Sequence, residues 1–255
     1  MTTAITLAAF AVAVVAGARS TWSPCGLSML ASITPLAEQG RGHRYRSTAA
    51  WFVLGAVAGG ASLGVCMATL AAGVGALGAS ATTLAVLGCA AALVAAAADA
   101  RVAGFRLPVH HRQVNERWLD QFRPWVYGAG FGWQIGAGLV TYIKAAAVYL
   151  MIVLAVLTGD PALALVVGAT FGFVRGLAVL LGRRITSPAT LAAFHRRFAE
   201  LGLVVLAIVV AVEVAAATIL ALLLSPWAGL AVIVLVLVAA AVIASAARSR
   251  RALRL

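Results

Sequence analysis

Charge is scarce in this chain. Asp, Glu, Lys and Arg make up 10% of its 255 residues, 64% are hydrophobic, and the mean hydropathy is +1.05. That balance excludes a soluble globular domain. Acidic residues are fewest, seven against nineteen Lys and Arg, and they form no paired carboxylate set. With no phosphate loop and no Ser/His/Asp arrangement, hydrolytic and phosphoryl-transfer chemistry lose their support. Three cysteines, Cys25, Cys66 and Cys89, cannot build a disulfide framework, and Cys66 and Cys89 have neither CxxC-type nor metal-ligand spacing. No metal or other cofactor is expected.

What the chain does hold is apolar runs of about 20 residues, each enough to cross a hydrocarbon core of roughly 30 Å. They recur along the whole length, so the expected fold is an all-α polytopic membrane protein. It forms a single transmembrane domain over residues 1–255, multi-pass in the inner (cytoplasmic) membrane, with the lipid bilayer as its first partner. The net charge of +12 would suit nucleic acid, but the arginines sit in short loops between apolar runs. No nucleic-acid partner is expected.

Seven spans are expected. The first, about 3–37, has no basic residue before it and reads as a mature helix rather than a signal peptide. The others cover about 49–72, 81–98, 125–157, 162–181, 201–224 and 227–247. The first and fourth are too long for one straight crossing at about 1.5 Å per residue, so each needs a break. Between the third and fourth lies the only long polar stretch, 99–123, whose segment 114–122 reads as a short interfacial helix. The loops at 38–47, 99–123 and 183–197 and the tail at 248–255 hold three, five, four and four basic residues, and the intervening turns hold none. The N-terminus is therefore expected outside and the C-terminus inside.

The chain is organised around Trp22-Ser23-Pro24-Cys25-Gly26. A proline deep in a helix removes a donor and clashes with the preceding turn, so the helix breaks there. In lipid such a break is tolerated only where protein or a water-filled cavity satisfies the freed backbone. Ser23, Pro24 and Cys25 thus mark an interior position carrying a thiol. Trp133-Gln-Ile-Gly136-Ala lines up with this motif, and Gly55-Ala56-x-x-Gly59 lines up with Gly168-Ala169-x-x-Gly172. The spacings agree to two residues. The expected architecture is a 3+3 inverted repeat, about 3–98 and 125–224, plus one C-terminal helix, with Gly136 and Gly138 at the second break.

Four basic or acidic residues fall within spans: Arg19, Lys144, Arg175 and Glu213. Glu213 and Lys144 lie near mid-membrane and are expected to pair or to line a polar path. Arg175 is expected to snorkel to the nearer face. Arg19 either reaches the break beside Cys25 or anchors a half-helix. His110 and His111 have no further ligand at suitable spacing and read as a solvated loop. The tryptophans suit membrane interfaces.

At these residues the chain resembles the DsbD/CcdA family of membrane thiol-disulfide electron carriers, whose members include cytochrome c biogenesis proteins. The resemblance rests on Ser23-Pro24-Cys25, Pro35, the Gly-rich second span, a basic loop, and Phe131-Gly132-Trp133 opening the second half. It implies electron transfer from cytoplasmic thioredoxin to an extracytoplasmic thioredoxin-like protein through two cysteines, with Cys25 the first. The second half has Gly136 where the other cysteine would stand, so exchange requires Cys66, Cys89 or an external thiol to come within reach of Cys25. Two other readings stand beside this one: a secondary transporter or exporter of a small solute on the same scaffold, and a non-catalytic membrane scaffold docking a partner through residues 99–123.

Overall fold

A computed structural model describes residues 1–108, 118–138 and 145–252. Among the described residues every regular element is helical. The first apolar stretch is divided into α1 (Thr2–Ser20), α2 (Pro24–Ser32) and α3 (Pro35–Gly40), followed by the unbroken α4 (Tyr45–Ala76) and α5 (Ala81–Asp99). After the single turn α6 (Trp118–Gln121), α7 (Pro124–Gly136) and α8 (Ala146–Leu157) flank a second interruption. The remainder is α9 (Pro161–Leu177) with a 3-10 extension to Arg184, α10 (Pro188–Leu224) and α11 (Pro226–Ala252). Five of these, namely α1, α4, α5, α9 with its extension, and α10, are long and apolar enough to cross a membrane. The protein is a multi-pass, all-helical membrane protein.

Proline decides where the helices start. Six of the seven prolines open a helix, at the beginning of α2, α3, α7, α9, α10 and α11. There the missing N–H is not needed and the fixed φ suits the first turn. Ser23, Thr34, Asp160 and Ser187 supply side-chain caps one residue earlier. Both expected interruptions of the first stretch, at Ser23-Pro24 and Thr34-Pro35, have this origin. The cap at Ser187, a reciprocal box with Thr190, also corrects one expectation. Residues 188–197 are not loop but the first turns of α10, 37 residues long, where Phe194 packs against the core and leads into the buried Phe198. Of the expected interfacial helix at 114–122, residues 114–117 lie outside the described residues and 118–121 form the single turn α6.

The centre of the fold is α4, held between α7 and α9 at backbone contact. A Cβ at Gly132 would lie 2.1 Å from the Phe52 carbonyl oxygen, and one at Gly136 2.0 Å from that of Ala56. On the other side, a Cβ at Gly172 would lie 2.2 Å from the Ala56 oxygen and one at Gly168 2.6 Å from the Gly60 oxygen. The pairs 52 with 132 and 56 with 136 rise together, so α4 and α7 run parallel. Contacts of Gly60 with Gly168 and of Ala56 with Gly172 run in opposite senses, so α4 and α9 are antiparallel. Without a hydrophobic drive between helices in lipid, such small-residue ladders supply association through close packing. The core itself is in two parts. One surrounds Ile5, Met151 and Leu220 and the other Cys25, Tyr127 and Phe198.

The second part carries a buried carboxylate. Glu38 of α3 has no exposed surface. The Tyr127 hydroxyl lies 2.7 and 2.9 Å from its two oxygens, the Thr48 hydroxyl donates at 2.5 Å, and Arg41 donates at 3.1 Å while also reaching the Ser32 carbonyl. A fully partnered carboxylate of this kind ties α3, α4 and α7 together at the end of the molecule that bears Arg41.

Two outcomes follow for thermal unfolding of the purified protein. Gly132→Ala is expected to lose about 1–3 kcal/mol or to fail to accumulate, because its methyl must displace backbone. Gly40→Ala, which meets nothing within 4 Å, is expected to stay within about 0.5 kcal/mol of the parent. Equal behaviour of the two would show that the α4 to α7 contact is not what holds the helices. Tyr127→Phe strips a donor from a buried carboxylate and is expected to cost about 1.5–3 kcal/mol, and an unchanged melting temperature would remove Glu38 from the stabilising framework.

Candidate functional site

The first break is built by its own residues. α1 ends at Ser20, whose hydroxyl turns back to the Ala16 carbonyl at 2.7 Å. The chain then turns through Thr21 and Trp22, and Ser23 caps α2 by accepting from the Gly26 N–H at 3.2 Å. A Cβ at Gly26 would lie 2.2 Å from the Thr21 oxygen, so glycine is required for α2 to start this close to the end of α1. Trp22 locks the turn from outside. Its ring stacks on Phe198 at 4.2 Å and its indole N–H donates to the Phe198 carbonyl at 2.7 Å. Cys25, in the first turn of α2, is 3% exposed.

The second break begins where α7 ends at Gly136. Ala137 caps it and Gly138 takes a left-handed φ of +66°. Residues 139–144, including Lys144, lie outside the described residues, so the expected pairing of Lys144 with Glu213 falls there too. α8 resumes under a cap from another helix. The Asp99 carboxylate, at the end of α5, accepts from the Ala146 N–H at 2.8 Å and the Ala147 N–H at 3.3 Å. A charged acceptor at a helix N-terminus offsets both the unpaired donors and the positive end of the dipole.

Arg175 of α9 lies between the breaks. It is 3% exposed, donates through Nη1 to the Ile135 carbonyl on the last turn of α7 at 2.5 Å, and lies 5.5 Å over the Phe171 ring. Cys25 lies within electrostatic range of it, and Phe171 also touches the Gly138 position. The expectation that Arg175 snorkels to a membrane face is therefore corrected. A carbonyl freed at the end of a broken helix and a cation–π contact hold it inside. Arg19, the other residue considered for the thiol, faces Asp99 instead.

Glu213 lies on α10 with no exposed surface. Among the described residues its carboxyl faces the carboxyl of Asp99 and has no basic side chain in salt-bridge contact. Arg19 of α1, Asp99 of α5 and Glu213 of α10 thus come together near the start of α8, two carboxyls with a guanidinium. Cys66 and Cys89 do not meet Cys25. Cys66 is exposed on α4, Cys89 donates to the Ala217 carbonyl in the other part of the core, and no disulfide joins the three cysteines. Among the described residues no three of His, Cys, Asp and Glu converge, so none can be offered as a metal set.

Three participants escaped the sequence reading. Asp99 and Glu38 each stand at the edge of an arginine-rich stretch and read as loop residues, and Tyr127 reads as one more aromatic. The available signal was that five of the seven acidic residues could be separated by whether an apolar span adjoins them, but that does not name a partner. Only the turn of each helix about its axis does.

No family model matches the chain, and no solved structure does. Curated relatives do match, and they carry one description, methylamine utilization protein MauF. The Paracoccus denitrificans protein is 38% identical over 178 residues, 66% of this chain and 61% of that protein. The Paracoccus versutus protein is 34% identical over 179 residues, 68% of this chain and 62% of that protein. The Methylobacillus flagellatus protein is 27% identical over 216 residues, 78% of this chain and 72% of that protein. The chain is similar to MauF proteins and spans less than two thirds of the length of the two Paracoccus relatives.

Proposed function

We propose that the chain is a cytoplasmic-membrane protein that serves methylamine utilization and passes electrons by thiol-disulfide exchange at Cys25, in the manner of the DsbD/CcdA carriers it resembles. In this reading it has seven crossings, three plus three inverted and one extra, with the N-terminus outside and the C-terminus inside. The observation that carries the reading is the position of Cys25: in the first turn after a capped helix break, within electrostatic range of a buried guanidinium that also reaches the broken end of α7.

A single cysteine suffices for such a relay. The Cys25 thiolate attacks the disulfide of an extracytoplasmic thioredoxin-like protein, forming a mixed disulfide and releasing one partner thiol. A thiol of cytoplasmic thioredoxin then attacks the Cys25 sulfur, so the first partner leaves fully reduced. The second thioredoxin thiol attacks the new mixed disulfide, which frees Cys25 and leaves thioredoxin oxidised. One disulfide is reduced and one formed, two electrons cross, and the protons follow the thiols. A positive charge at Arg175 favours the Cys25 thiolate, which attacks in the first step and leaves in the last.

A second reading, transport of a small solute, is favoured by one observation: Glu213 is fully buried and faces a second carboxyl, that of Asp99. A carboxyl so placed in a membrane is suited to hold a proton or a small cation.

The two readings separate in cells that depend on this chain for growth on methylamine. Cys25→Ser is expected to reduce growth to that of cells lacking the protein, while Glu213→Gln retains it. A mixed disulfide trapped by acid quenching is expected to vanish in Cys25→Ser and persist in Cys66→Ser and Cys89→Ser. Full growth with Cys25→Ser overturns the exchange reading, and loss of growth with Glu213→Gln alone puts transport in its place.

A further inference from the structure

At the arginine-bearing end of the α4 to α9 seam, a cavity of about 600 Å³ opens between the first turns of α4 and the 3-10 extension of α9. Its chemistry is divided. Arg46, Arg183 and Arg184 line one part, and Ala49, Ala50, Val53 and Leu180 line the other. Tyr45 joins the two walls, its hydroxyl donating to the Val179 carbonyl at 2.8 Å, with the charge of Arg183 close by.

The three arginines are exposed, and no carboxylate pairs with any of them among the described residues, where the one ion pair is Arg41 with Glu38. Three like charges drawn to one cavity repel one another unless an anion lies between them. The N-terminus of α4 adds its positive end to the same place, and Arg44 gives it no side-chain cap. A free inorganic anion would satisfy the arginines but would leave the apolar wall bare. That wall belongs to two membrane-spanning segments, so it continues in the direction of the hydrocarbon. A headgroup phosphate with an attached acyl chain matches both parts. Basic pockets between helices at a membrane face recognise such headgroups.

We propose that this cavity binds an anionic phospholipid, its phosphate among Arg46, Arg183 and Arg184 and one acyl chain along Ala50, Val53 and Leu180. The site bears on the fold. Val53 meets α9 where a Cβ at Gly176 would lie 3.2 Å from its Cα, so the lipid closes the outer edge of the contact that also positions Arg175.

The test is lipid retention by the purified full-length chain in native mass spectrometry, with phosphatidylglycerol, phosphatidylcholine and inorganic phosphate as probes. Phosphatidylglycerol is expected to be retained in preference to phosphatidylcholine. Arg183→Gln with Arg184→Gln is expected to weaken that retention about thirtyfold, and Arg196→Gln with Arg197→Gln, which removes the same charge from α10, less than about threefold. Ala50→Trp fills the apolar wall at constant charge and is expected to displace the lipid; it carries the test if the arginine variant fails to accumulate. Equal effects of the two arginine pairs, or no preference for the anionic lipid, overturn the proposal. So does displacement by inorganic phosphate with Ala50→Trp silent, which would make the site one for a free anion. None of these outcomes depends on Cys25.

Discussion

The structure depends on one contact: the backbone of α4 touching the backbones of α7 and α9 with no side chain between them. In lipid, apolar side chains gain nothing by leaving one another for a neighbouring helix, so helices associate where surfaces fit closely enough for dispersion and carbonyl contacts to add up. Gly132 and Gly136 on one partner, and Gly168 and Gly172 on the other, permit that fit. Because α7 and α9 both belong to the second half of the chain, the same contact joins the two halves, and everything at the breaks hangs from it.

The breaks then set the chemistry. Each interrupts a membrane helix and leaves backbone groups that need partners within the protein. The molecule meets that need with charge and hydroxyl groups: Ser23 for α2, Asp99 for α8, and Arg175 for the Ile135 carbonyl at the end of α7. Arg175 and Asp99 therefore have structural reasons to be buried, and their burial places a cation beside Cys25 and a carboxylate beside Glu213. A reactive position arises from the repair of an interrupted helix, which is why the thiol and the acid pair each lie near a break rather than in the middle of an unbroken span.

Much of this was legible in the residues and some was not. The breaks at Ser23-Pro24, Thr34-Pro35 and Gly136 to Gly138 were legible because proline and glycine act on their own backbone. The start of α10 was misplaced because the arginines at 196 and 197 marked a loop more strongly than Ser187-Pro188-Ala189-Thr190 marked a cap, and helix in fact continues through charge at a membrane face. The sequence left the role of Arg19 open because it is near Cys25 only along the chain, whereas Arg175 arrives from the other half.

From the sequence alone came the membrane setting, the order of the helices and the positions where they break, since hydropathy, proline and capping residues act within a few residues of themselves. Tertiary structure alone decided that Arg175 rather than Arg19 stands by the thiol, that Asp99 caps α8 and opposes Glu213, and that Glu38 is enclosed by Tyr127 and Thr48. Those pairings follow from the rotation and depth of whole helices, which the glycine contacts of α4 set from positions far along the chain.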